Sequence, residues 1–107
     1  MHIEYLYWPN CPSAEEGLER LKQALRDEGV AGEIEEIVVT SDEQVRELDF
    51  PGSPTIRIEG EDADPEGAAE LRAALTCRLY IQPDGRPSPL PHPDTLRAAI
   101  RRHRRTS

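Results

Sequence analysis

Cysteine, large aromatics and long apolar runs are all scarce in this chain. Its 107 residues hold two cysteines, Cys11 and Cys77, with one tryptophan, one phenylalanine and one methionine. Two cysteines so far apart do not make the disulfide framework of a small secreted domain, which points to reduced thiols and a cytoplasmic setting. No run approaches the roughly 18–20 apolar residues that cross a bilayer. The start, MHIEYLYW, lacks the basic opening, apolar stretch and small-residue cleavage site of a secretory leader. His2, His92 and His103 are scattered without ligand spacing, and no Cys/His cluster suggests structural zinc. No metal and no tightly bound cofactor is therefore expected. Phosphate-cradling glycine loops, nucleophile-elbow serines and kinase-type motifs are also absent.

What is present suits one small globular domain over residues 1–107. Apolar residues make up 36% and charged residues 32%. The net charge of −8 is unevenly spread. From His92 onward Arg97, Arg101, Arg102, Arg104 and Arg105 face Asp94 alone, and residues 103–107 read as a basic tail. A basic end can touch phosphates, but an acidic body repels them. Arginines at a helix C-terminus also complement its dipole. Neither nucleic acid nor a membrane is expected as a partner, and a monomer or weak dimer is the expected state.

The patterning predicts an α/β order, β-α-β-α-β-(α)-β-α. HIEYLYW is rich in strand formers. The segment after it sets Ala14, Leu18, Leu21 and Leu25 on one helical face, with Asn10 or Cys11 in the cap region, Pro12 in the first turn and Gly29 as the stop. EIEEIVVT is a second strand, parallel to the first. Ser41 and Gln44 form a capping-box signature ahead of a short helix. TIRIEG alternates as a third strand after the Gly52-Ser53-Pro54 breaker. Residues 61–76 read as an extra piece with a short helix capped at Asp64-Pro65, Leu71 and Leu75 facing inward. CRLYIQ is read as strand four, in a hairpin with strand three. Pro93 opens the last helix, whose stripe is Leu96, Ala99, Ile100 and His103.

A strand, a Cys-Pro pair before a long helix, and a later GSPT entering a hairpin together resemble the thioredoxin-like (glutaredoxin/thioredoxin) superfamily. NCPSA matches the place of its Cys-x-x-Cys motif and GSPT its cis-proline loop. The resemblance implies a four-stranded mixed sheet with flanking helices, Cys11 as nucleophile, and a cis Ser53–Pro54 bond. It also implies that the Ser53 backbone pairs with an extended peptide or glutathione. FPGSPTIRIEGED with CRLY is similar to small bacterial thioredoxin-like proteins, some bearing organomercurial-lyase labels.

The residues support a reactive Cys11 on their own terms. A helix start offers unpaired N–H groups and positive partial charge, which stabilise a thiolate. The plainer reading is a small buried apolar residue. Ala14 stands where a dithiol enzyme has its second cysteine, which leaves a CxxA monothiol cycle resolved by glutathione or another thiol. In the fold that the resemblance implies, Cys77, at the start of strand four, lies at the far end of the hairpin, roughly 17–20 Å away. A disulfide needs Cα atoms within about 7 Å. Cys77 is therefore read as core-facing with Leu79 and Ile81, and as a second thiol only if residues 61–76 reroute the chain. Trp8, Pro12, Ser53, Pro54 and Thr55 are the expected substrate-binding residues, with Tyr7 and Trp8 at the lip. The expected activity is thiol–disulfide or glutathione-linked exchange with protein or small thiols. The alternatives are a heavy-metal or organometal thiol carrier using Cys11, and a non-catalytic adaptor.

Overall fold

The structure is a computed structural model and describes residues 1–104. Strand β1 (His2–Tyr7) is followed by helix α1 (Ala14–Asp27), β2 (Glu33–Val38), α2 (Asp42–Leu48) and β3 (Thr55–Ile58). Then come β4 (Glu61–Asp62), α3 (Pro65–Ala69), β5 (Tyr80–Ile81), β6 (Pro87–Ser88) and α4 (Pro93–Arg104). Strands β2-β1-β3-β4 form a mixed sheet, with β1 parallel to β2 and antiparallel to β3. The result is a compact α/β protein.

Period-2 alternation places β1 between two cores. Ile3 and Tyr5 join Leu21, Leu25, Ile56, Ile58, Leu96, Ala99 and Ile100 on the face covered by α1 and α4. Leu6 turns the other way, to Val39, Val45 and Phe50 under α2. Helix α4 is tied to α1 at its basic end, since Arg101 clasps the Glu28 carboxylate at 2.9 and 2.8 Å. Arg104 donates to the Glu28 carbonyl at 2.8 Å. The arginines thus meet acids of the same chain, with Glu61 taking Arg102 and His103. Of the expected tail 103–107, His103 and Arg104 belong to α4, and 105–107 lie outside the described residues.

Caps follow the sequence with small shifts. Helix α1 begins at Ala14 with Ser13 as its N-cap, later than Asn10 or Cys11, because residues 8–11 close a turn in which the Cys11 N–H donates to the Trp8 carbonyl. Gly29 does supply the left-handed stop, at φ +64°. Ser41 Oγ accepts from the Gln44 N–H at 3.2 Å, and Gln44 Oε1 reaches back to the Thr40 N–H. Asp64 caps α3 through the Gly67 N–H.

The second half departs from expectation. The fourth strand of the main sheet is Glu61–Asp62, and CRLYIQ contributes only Tyr80–Ile81, in a separate two-stranded ribbon with Pro87–Ser88. Helix α3 stops at Ala69, so Leu71 lies beyond it, and Leu75 packs on the Leu6 cluster from a loop. Leu79 and Ile81 point outward at 51% and 63% exposure, while Arg78 and Tyr80 are buried. The inversion has one cause. Arg78 forms a bidentate pair with Asp62 of β4 at 2.6 and 2.8 Å and stacks 4.3 Å over the Tyr80 ring. Burial is the largest influence and opposes the guanidinium's charge, but the Asp62 hydrogen bonds together with the charges of Asp62 and Asp64 and the Tyr80 hydroxyl leave its pKa raised.

Removing one member of a buried pair strands the other charge, so Asp62→Ala should cost roughly 3–5 kcal/mol. Urea unfolding of the variant against the parent chain measures it, and a loss below about 1 kcal/mol, the range of an exposed pair, would contradict this account.

Candidate functional site

Three chain segments meet at the C-terminal end of β1. The turn after β1 carries Trp8 and Cys11, the loop before β3 carries Gly52, Ser53 and Pro54, and the run before β5 carries Thr76, Cys77 and Arg78. The Ser53–Pro54 peptide bond is cis. Trp8 donates its N–H to Ser53 Oγ at 2.9 Å, and the Cys11 thiol lies 3.5 Å from the Ser53 carbonyl oxygen. Cys11 and Cys77 are both free, with their sulfurs 4.0 Å apart.

That distance corrects the placement of Cys77 at the far end of a hairpin. Residues 63–76 turn the chain back across the sheet end, so Cys77 pairs with Ser53 as a single parallel bridge instead of starting a strand beside β3. Its side chain is half-buried and faces Cys11, on the opposite side of the run from buried Arg78 and Tyr80. Burial raises the Cys77 pKa, and the charge and hydrogen bond of Cys11 raise it further. Across the 4.0 Å gap either thiol can donate to the other.

The other expected residues divide into two groups. Pro12 is exposed and, with Cys11, Tyr7, Pro9 and Leu18, lines a cleft of ≈ 420 Å³ whose acidic members are Glu15 and Glu36. Trp8 is half-buried and does not line that cleft; its backbone holds Ser53. Ser53 and Thr55 are fully buried. Thr55 Oγ1 donates to the Gly52 carbonyl at 2.6 Å and accepts from Arg78, so it braces the loop. The Pro54 carbonyl accepts from the Tyr80 hydroxyl at 2.7 Å. The Ser53 backbone is not open, because its N–H donates to the Thr76 carbonyl at 2.8 Å and its carbonyl accepts the Arg78 N–H at 2.9 Å.

Sequence reasoning missed Arg78, Asp62 and Tyr80, which hold the third segment in place. The one available signal was a charged residue inside an otherwise apolar run, CRLYIQ. It also missed that parallel pairing brings His2, Glu4 and Glu35 together, with donor atoms within 4.8 Å of one another. These side chains are largely exposed and sit at the opposite end of β1 from the thiols, where His2 pairs with Glu35 at 3.6 Å. A larger hollow of ≈ 510 Å³ beside Asp49, Arg57 and α3 is lined by neither cysteine.

The raised Cys77 pKa has a measurable sign. Alkylation of Cys77 as a function of pH should have its midpoint above that of free cysteine. In Cys11→Ala the midpoint should fall, since a charge and a hydrogen bond are removed, yet stay above free cysteine because burial persists. An unchanged midpoint would contradict the coupling. In comparisons with known proteins, no family model, no curated protein and no solved structure matches the chain.

Proposed function

We propose that this chain is a thioredoxin-like protein that performs thiol–disulfide exchange, with Cys11 and Cys77 acting in succession. The observation that carries the reading is the 4.0 Å separation of two free thiols at one end of the sheet. The order β2-β1-β3-β4, with Cys11 between β1 and α1 and a cis-proline loop ahead of β3, supports the fold assignment.

Cys11 is the attacking sulfur in this reading, because it lines the open cleft ahead of α1, whereas burial pushes the Cys77 thiol up. The Cys11 thiolate attacks a disulfide RS–SR, forming Cys11–S–SR and releasing RS⁻, which takes up a proton. Cys77 then loses its proton to solvent and attacks the Cys11 sulfur. A Cys11–Cys77 disulfide forms and the second RS⁻ departs. Two electrons pass from the protein dithiol to the substrate. An external dithiol, or two small thiols such as glutathione, restores the pair. The monothiol cycle inferred from Ala14 becomes a two-sulfur cycle whose second member comes from residue 77.

Trapping the intermediate tests this. After treatment with bis(2-hydroxyethyl) disulfide, the parent chain should carry no adduct and offer neither cysteine to alkylation. Cys77→Ser should stop at a mixed disulfide on Cys11, and Cys11→Ser should react at least about tenfold more slowly. Adduct accumulation on the parent chain, or equal reactivity of Cys11→Ser, would overturn the proposal.

The same distance favours one second reading, capture of a soft thiophilic ion between the two sulfurs. Titration with Hg(II), followed by thiolate-to-metal absorption, should give one ion per chain and weaker binding in both Cys11→Ser and Cys77→Ser. Equal affinity in either variant would exclude a shared site.

A further inference from the structure

We infer that the site takes low-molecular-weight disulfides and excludes extended polypeptides, because residues 76–78 already fill the backbone position beside Cys11 where an extended chain would pair. This deepens the exchange reading above and rests on it.

An extended peptide gains affinity at a thiol site by hydrogen bonding to a free run of backbone next to the sulfur. Here the backbone beside Cys11 is Ser53, and both of its main-chain groups are taken. The Thr76 carbonyl accepts its N–H at 2.8 Å, the Arg78 N–H donates to its carbonyl at 2.9 Å, and Cys77 lies opposite as its bridge partner. The chain's own segment thus sits as a peptide would, with a cysteine held against Cys11. Buried backbone groups keep their partners, so a second strand enters only by expelling the first.

Several contacts resist that expulsion. The Arg78 side chain is fully buried, and its ion pair with Asp62 and hydrogen bond to Thr55 anchor the segment to β4 and β3. Gly52 marks how closely the segment lies. A Cβ on it would fall 2.7 Å from Arg78 Cα and 2.8 Å from Arg78 N, and its φ of +130° disfavours any side chain. What remains open toward Cys11 is the cleft of ≈ 420 Å³ beside Tyr7, Pro9, Pro12 and Leu18. That volume admits a small molecule.

Two probes with the same leaving thiol separate the classes. One is bis(2-hydroxyethyl) disulfide. The other is an uncharged extended octapeptide whose central cysteine is a mixed disulfide with 2-mercaptoethanol. Rates of thiol loss in the full reduced chain are read by alkylation and intact mass, each divided by the rate with free N-acetylcysteine. The normalised small-disulfide rate should exceed the peptide rate at least about tenfold, the size expected when an oriented approach is denied. The preference should persist in Cys77→Ala, which keeps the backbone pairing. In Gly52→Ala, checked for folding by circular dichroism, the wedge against Arg78 should narrow it. Should that variant not fold, the parent-chain ratio still decides. Equal or faster reaction of the peptide with the parent chain would overturn the inference and leave the exchange reading intact. Failure of both probes to oxidise the thiols would overturn both.

Discussion

The Arg78–Asp62 ion pair is the constraint on which the second half of the molecule depends. A guanidinium with no solvent exposure demands a partner, and β4 exists to present one, two residues after the turn from β3. A buried pair is a poor source of net stability compared with apolar packing, but breaking it is costly, which makes it a device for specificity. It chooses one path for residues 63–80 among many that a loop of that length could take. Tyr80 beneath the guanidinium and Thr55 beside it complete the choice.

Everything at the thiols follows from that path. With Arg78 anchored, its own N–H lies on the Ser53 carbonyl, and Cys77 is carried to the Cys11 sulfur. The first half supplies a rigid platform, since β1 is hydrogen-bonded on both sides and clamped between the α1–α4 layer and the α2 cluster. The second half supplies a single added residue. The chemistry proposed for the site is thus divided between a sulfur placed by local structure and a sulfur placed by a long-range ion pair.

That division also explains how much could be read from residues alone. Strands β1 to β3, helices α1, α2 and α4, and the place of Cys11 were legible because each rests on periodicity, caps or turn residues close in sequence. CRLYIQ misled because its alternation fits two opposite faces equally well. Apolar Leu79 and Ile81 suggest one face inward, whereas Asp62, sixteen residues earlier, draws Arg78 and Tyr80 inward instead. A one-residue change of register turns every side chain over, so the error in Cys77 was inherited from Arg78. Ala14 leaves Cys11 without a second cysteine in the same turn. Its replacement from residue 77 depended on a contact that no local pattern announces.

The order in which the three segments leave a ribosome gives the site a history. Cys11 emerges first, Ser53 follows, and Cys77 with Arg78 comes last, so a chain made at about 5–20 residues per second carries Cys11 without its cover for several seconds. In the finished fold Cys11 is only 5% exposed. The second sulfur therefore reaches Cys11 only late in synthesis, and a chain broken anywhere before residue 77 carries Cys11 without its 4.0 Å neighbour.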